Sequence, residues 1–129
     1  MNSKEKIDYI SNWIKNYAVK NSFDSLTIGI SGGIDSAVTS TLCAMTNLKT
    51  FVVSMPILDH QVLNKRGENH IKWLKENFNN TVKFETNLSE VFKSFQSVLK
   101  NNNSEHGYAN SQARLRMTTL YYYAGHYES

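Results

Sequence analysis

Cysteine is almost absent from this chain of 129 residues. The one that occurs, Cys43, cannot form an internal disulfide and has no second cysteine with which to build a zinc pattern. It reads as a buried, inert residue. No apolar run approaches the ~20 residues that a membrane span requires. The opening MNSKEKIDYISNWIKNY is too polar for the apolar stretch of a signal peptide. A cytoplasmic location without a membrane partner is therefore expected. Arginine is scarce too, with three residues against eleven lysines. The lysines are scattered, so a net charge of +3 permits nucleic-acid binding without indicating it, and no nucleic-acid partner is expected. His60, His70, His106 and His126 show no metal-ligand spacing and read as surface residues. Internal repeats and interdomain linkers are missing as well.

What is present is an ordinary globular composition, 40% hydrophobic, 12% aromatic and 19% charged. A chain of this length buries about two thirds of the surface its unfolded form exposes, so it needs no covalent staple. Asn2 or Ser3 can cap a first helix, in which Ile7, Ile10, Ile14 and Tyr17 recur at helical spacing. Leu26 to Ile30 reads as a short buried strand that runs into SGGIDS and then into a helix over Ala37 to Met45, closed by Asn47. Lys49 to Met55 is a second strand, stopped by Pro56, the only proline. Residues 57–67 lack a clear pattern, and Gly67 disfavours a long continuous helix there. Ile71, Leu74 and Phe78 give a helical face, and Thr81 to Leu88 alternates as a third strand. Ser89 can cap a helix with Val91, Phe92, Phe95, Val98 and Leu99 on one side. Residues 100–107, ending in NNNSEHG, read as an exposed, mobile loop. A last helix from Tyr108 to Ala124 carries Ala113, Met117, Leu120 and Ala124. Trp13 and Trp73, near apolar faces, read as packing residues, as do Tyr121, Tyr122 and Tyr123.

Alternating strands and helices predict an α/β fold, a Rossmann-like open parallel sheet with flanking helices. The first strand of such a sheet is normally central, with further strands on its other side. Only about three strands are found here. Residues 1–129 are accordingly expected to form a single domain, incomplete at its C-terminal side.

The strongest chemical signal is GISGGIDS, Gly29 to Ser36. A strand delivers glycines and two hydroxyls to the start of a helix, where the backbone can approach a ligand closely and unpaired N–H groups favour an anion. Gly29, Ile30, Ser31, Gly32, Gly33, Ile34, Asp35 and Ser36 are thus the candidate residues for a pyrophosphate, with Asp35 placed to hold Mg²⁺ beside it, and become ATP-binding residues through the resemblance that the same loop carries. The segment lacks the Gly-Lys-Ser/Thr of a Walker-type loop and the G-x-G-x-x-G spacing of a dinucleotide fold.

This loop resembles the pyrophosphate-binding loop of the ATP pyrophosphatase (PP-loop) superfamily, which includes NAD, GMP and asparagine synthetases and tRNA-modifying enzymes. A second segment, Asn110-Ser111-Gln112-Ala113-Arg114-Leu115-Arg116-Met117, is similar to the Asn-x-(Gln/Lys)-Ala-Arg-x-Arg-Met segment of NAD synthetases. The resemblance implies that ATP adenylates the carboxylate of deamido-NAD and that ammonia displaces AMP, giving NAD, AMP and pyrophosphate. It gives Arg114 a contact with deamido-NAD, in which Asn110 shares unless it caps the helix, and leaves Arg116 structural. It also implies Mg²⁺, a homodimer with deamido-NAD near the subunit interface, and the ammonia-dependent branch, since nothing before Met1 looks like a glutaminase domain. The family's fourth strand, its Gly-Thr-(Asp/Asn)-x-x-Glu segment and its later lysines have no counterpart here. A hydroxyl-rich stretch usual after the second strand is replaced by Ile57-Leu58, and Ala109 stands where glycine is frequent. The chain therefore resembles the first half of such a synthetase. Another adenylating enzyme of the superfamily, acting on tRNA, and an inactive nucleotide-binding remnant are the competing readings.

Overall fold

A computed structural model describes residues 1–58, 61–101 and 103–129. His60 and Asn102, which the sequence reading places on the surface and in a loop, lie outside them. The described elements run α1 (Ser3–Lys20), β1 (Ser25–Ile30), α2 (Ile34–Ala44), β2 (Lys49–Ser54), α3 (Gln61–Asn77), β3 (Thr81–Glu85), α4 (Ser89–Val98) and α5 (Glu105–Tyr127). The strands form a parallel sheet in the order β1-β2-β3, with Ile28 beside Val52 and Val52 beside Lys83. The expected α/β fold with a three-stranded parallel sheet is thus observed.

Two half-cores lie on either side of the sheet, because successive strand residues point to opposite faces. Val52 packs with Ile30, Ala44, Ile71 and Leu74 beneath α2 and α3. Its neighbour Val53 packs with Met55, Ile57, Leu88 and Phe92 beneath α4 and α5. A sheet covered on both faces explains why β2 reads as the unbroken apolar run Phe51-Val52-Val53. Asn2 closes the first helix with a capping box, its side chain accepting from the Glu5 N–H at 2.9 Å. Asn47, in the left-handed region at φ 66°, ends the turn that follows α2.

Four expectations are corrected. First, α3 runs unbroken through Gly67, which is buried. A Cβ there would meet the Ile30 side chain at 3.4 Å and the Gly32 backbone at 3.6 Å, so this glycine allows a close approach rather than a break. Second, α5 begins at Glu105 and not after Gly107, because Ser104 caps it by accepting from the Gly107 N–H at 3.0 Å. Residues 105–107 are therefore helix, and Asn110 lies too far inside it to be its cap. Third, the apolar stripe of α1 is only partly covered. Ser11 and Ala18 face inward, the Ser11 hydroxyl donating to the Leu42 carbonyl at 3.1 Å, while Ile7, Ile10 and Tyr17 are exposed. Fourth, Trp13 and Trp73 are exposed, Trp13 stacked on Tyr17 and Trp73 on His70. Of the three tyrosines, Tyr123 packs on Phe84 and bonds Thr86, whereas Tyr121 and Tyr122 are exposed.

Candidate functional site

The loop between β1 and α2 leaves the carboxyl end of the sheet, where open α/β sheets bind their ligands. Gly32 has φ +86°, and a Cβ on it would fall 2.1 Å from the Leu63 carbonyl oxygen. Only glycine fits there. Gly33 is the N-cap of α2 in extended conformation, without a side-chain cap. Its added Cβ would meet only Ser31 Oγ, at 3.4 Å.

The two serines hold the loop in shape. The Ser36 hydroxyl donates to the Gly33 carbonyl at 3.2 Å and accepts from the Ser31 N–H at 3.1 Å. With that proton committed, the Ser31 hydroxyl is the donor in the 3.0 Å contact with Ser36 Oγ, and it accepts from the Gly33 N–H at 3.1 Å. The hydroxyls expected to face a ligand are thus engaged with each other and with the loop backbone. What the loop offers an anion is the set of first-turn N–H groups of α2, which have no partner within the helix. Ile34 and Asp35 are exposed beside them.

Two hollows flank the loop. The first, of about 250 Å³, is lined by Ser31, Ser54, Met55, Leu63, Gln112 and Arg116, among others. Arg116 reaches it from α5, with Nε donating to the Met55 carbonyl at 3.0 Å. Burial holds its pKa below the ordinary value. The second, of about 260 Å³, lies between Gly32, Gly33, Ile34 and Ser36 on one side and Arg66 and His70 of α3 on the other.

Arg114 and Asn110 stand elsewhere. They line a groove of about 370 Å³ between α4 and α5 with Val91, Phe92, Phe95 and Thr118. Asn110 Nδ2 lies 3.4 Å from His106 Nε2. Two residues along a helix turn the side chain by about 200°, so Arg114 and Arg116 leave α5 on opposite sides. The structure therefore brings Ile30 and Ser31 of the loop together with Gln112 and Arg116, and Gly32, Gly33, Ile34 and Ser36 together with Arg66 and His70, while Asn110 and Arg114 stand apart. Gln112, Arg116, Arg66 and His70 border the loop's hollows without having been singled out for it. The four-residue spacing of Gln112 and Arg116, and a glycine inside the helical pattern of α3, were the signals available.

Asp35 is the acidic group at the loop, and no cluster of three or more His, Cys, Asp or Glu residues suited to a metal occurs among the described residues. One exposed carboxylate beside the unpaired N–H groups of a helix start fits a magnesium ion whose other ligands would be phosphates and water. Cys43 is buried, and desolvation pushes its thiol pKa up to about 11, as an inert residue requires.

A model of the NAD synthase family matches residues 6–129. The chain belongs to that family. It is 38% identical over 128 residues to an NH3-dependent NAD+ synthetase of Mesoplasma florum, covering 94% of this chain and 49% of the relative. It is 32% identical over 130 residues to that of Carboxydothermus hydrogenoformans, covering 96% and 51%. Among solved structures, an NMN synthetase from Francisella tularensis superposes with TM-score 0.87 at 28% identity, over 98% of this chain and 52% of that one. An NH3-dependent NAD synthetase from Campylobacter jejuni has the same TM-score of 0.87 at 23% identity, over 100% and 55%, which speaks for the fold. This NAD synthase family chain thus spans about half the length of the curated relatives it matches. No helix among the described residues is long and apolar enough to cross a membrane.

Proposed function

We propose that the protein to which this chain belongs catalyses the ATP-dependent amidation of deamido-NAD with ammonia, through an adenylated intermediate, giving NAD, AMP and pyrophosphate. The observation that carries the reading is the glycine loop at the carboxyl end of β1, presenting the start of α2 beside a cleft that Arg116 enters, in a chain of the NAD synthase family. A carboxylate does not transfer its acyl group to ammonia, because oxide cannot leave. Attack of a carboxylate oxygen on the α-phosphate of ATP expels pyrophosphate, and the resulting acyl adenylate loses AMP to ammonia.

The chain's part is charge neutralisation and alignment. The α2 N–H groups and Gly32 form the cradle for the pyrophosphate portion, and Asp35 holds Mg²⁺, which screens the phosphates. Arg114, with Asn110, binds deamido-NAD in the groove over Phe92. No side chain is assigned as nucleophile, general acid or general base. A homodimer in the cytoplasm completes the reading.

The test is NAD formation by the purified 129-residue chain with Mg-ATP, deamido-NAD and ammonium, with AMP and pyrophosphate followed in the same tubes. NAD made by wild type and lost in Arg114→Ala supports the reading for the chain alone. AMP release that needs RNA and ignores deamido-NAD refutes it in favour of a tRNA-modifying relative. Absence of both NAD and AMP refutes catalysis by the chain alone and leaves nucleotide binding.

A further inference from the structure

The loop carries no cation of its own, and its charged residue, Asp35, is an acid. A Walker-type loop solves this problem with a lysine in the motif; here the positive charge has to come from elsewhere in the fold. Two of the chain's three arginines border the loop from opposite sides, Arg116 in the first hollow and Arg66 in the second.

We propose that Arg66 is a phosphate-binding residue, its guanidinium closing over the polyphosphate that the first turn of α2 receives. The inference rests on the nucleotide-binding reading of the loop and adds a residue to it. Gly67 sets the geometry. Because it has no side chain, α3 lies against the loop, with Leu63 O above Gly32 and the Gly67 position within 3.6 Å of Gly32 N for an added Cβ. Arg66 and His70, four residues apart and so on one helical face, then line the same hollow as Gly32, Gly33 and Ser36.

His70 is fixed and is not the charge in this hollow. The fully buried Ser40 hydroxyl donates to the Ala37 carbonyl at 3.1 Å, so His70 Nε2, 2.9 Å from Ser40 Oγ, is the donor. Desolvation lowers the His70 pKa, which favours the neutral ring. Arg66 is exposed, and among the described residues it has neither a hydrogen bond nor a carboxylate partner; the ion pair found there joins Lys93 to Glu90. A guanidinium is a rigid fork of donors matched to two phosphate oxygens. An uncommitted one at the rim of an anion cradle is placed for that contact.

The experiment titrates inorganic pyrophosphate with Mg²⁺, and separately adenosine, into wild type, Arg66→Gln, Arg66→Lys and Ser36→Ala. Arg66→Gln is expected to bind pyrophosphate about tenfold more weakly, with a shallower salt dependence, while its adenosine affinity and melting temperature stay at the wild-type values. Arg66→Lys is expected to recover part of the loss. Pyrophosphate binding that is unchanged in Arg66→Gln but lost in Ser36→Ala overturns the inference and leaves the loop reading standing. Wild type that takes no pyrophosphate overturns both. Equal losses for adenosine and pyrophosphate also overturn it, because the residue would then act through the fold rather than on the phosphates.

Discussion

The two sides of α5 present the same residue type to different surroundings. On the side toward the sheet, Arg116 is half-buried, is tied to the Met55 carbonyl and borders the cleft that contains Ser31. On the side toward α4, Arg114 is exposed over an apolar floor of Phe92 and Phe95. The inner arginine is held by the fold before any ligand arrives. The outer one makes no side-chain contact of that kind and gains its order from whatever occupies the groove. A single helix thus divides the cleft beside the loop from a second groove, and two residues of sequence decide which of the two an arginine can reach. A bond to a backbone carbonyl and a place on the cleft are compatible, so Arg116 has a structural role and, under the proposed function, a position from which to touch ATP.

The division is most strongly tested at the floor of the outer groove. Phe92 is fully buried and makes edge contact with Tyr108 of α5. Phe92→Ala is expected to cost about 3–5 kcal/mol of stability in urea unfolding, and to loosen the outer side of α5 while Mg-ATP still binds to the folded fraction. A loss below about 1 kcal/mol would mean that α4 does not anchor this side. Next in size is Arg116→Ala, which leaves the Met55 carbonyl without its donor. A hydrogen bond to a charged group is worth about 1.5–3 kcal/mol, so unfolding should report a loss near the lower end of that range. Mg-ATP affinity should fall with it, and an unchanged Mg-ATP affinity would confine Arg116 to the structural role.

Much of this arrangement is legible in the sequence, because the strands and the loop depend on local chemistry. Phe51-Val52-Val53 is apolar on both faces, and SGGIDS joins a strand to a helix with a glycine where φ must be positive. The failures come from contacts between elements. Gly67 reads as a helix breaker until α3 is seen against Gly32, and Glu105 to Gly107 read as loop because their helix is capped by one hydroxyl and carries no apolar residue there. The stripe of Ile7, Ile10 and Tyr17 has the right spacing for burial, yet the buried residues of α1 are Ser11, which donates to the Leu42 carbonyl of α2, and Ala18. Helical spacing already puts Arg114 and Arg116 on opposite sides of α5. Which side faces the loop depends on how α5 docks, and the residues that receive it, Val53 in β2 and Met55 just after it, lie more than fifty residues away.

The smallest effect on stability, and the sharpest on binding, belongs to Arg114. It is exposed and makes no side-chain hydrogen bond among the described residues, so Arg114→Ala should move the melting temperature by no more than about 3 °C. Its deamido-NAD affinity should nevertheless fall about tenfold, with Mg-ATP binding unchanged. Asp35→Ala should do the reverse, weakening Mg-ATP and sparing deamido-NAD, because its carboxylate stands at the start of α2, away from the outer groove. Calorimetric titration of both ligands into both variants gives four affinities, and the assignment requires the losses to cross. Parallel losses would mean that the two substrates share one continuous site around α5, and the separation of its faces would then have no functional meaning.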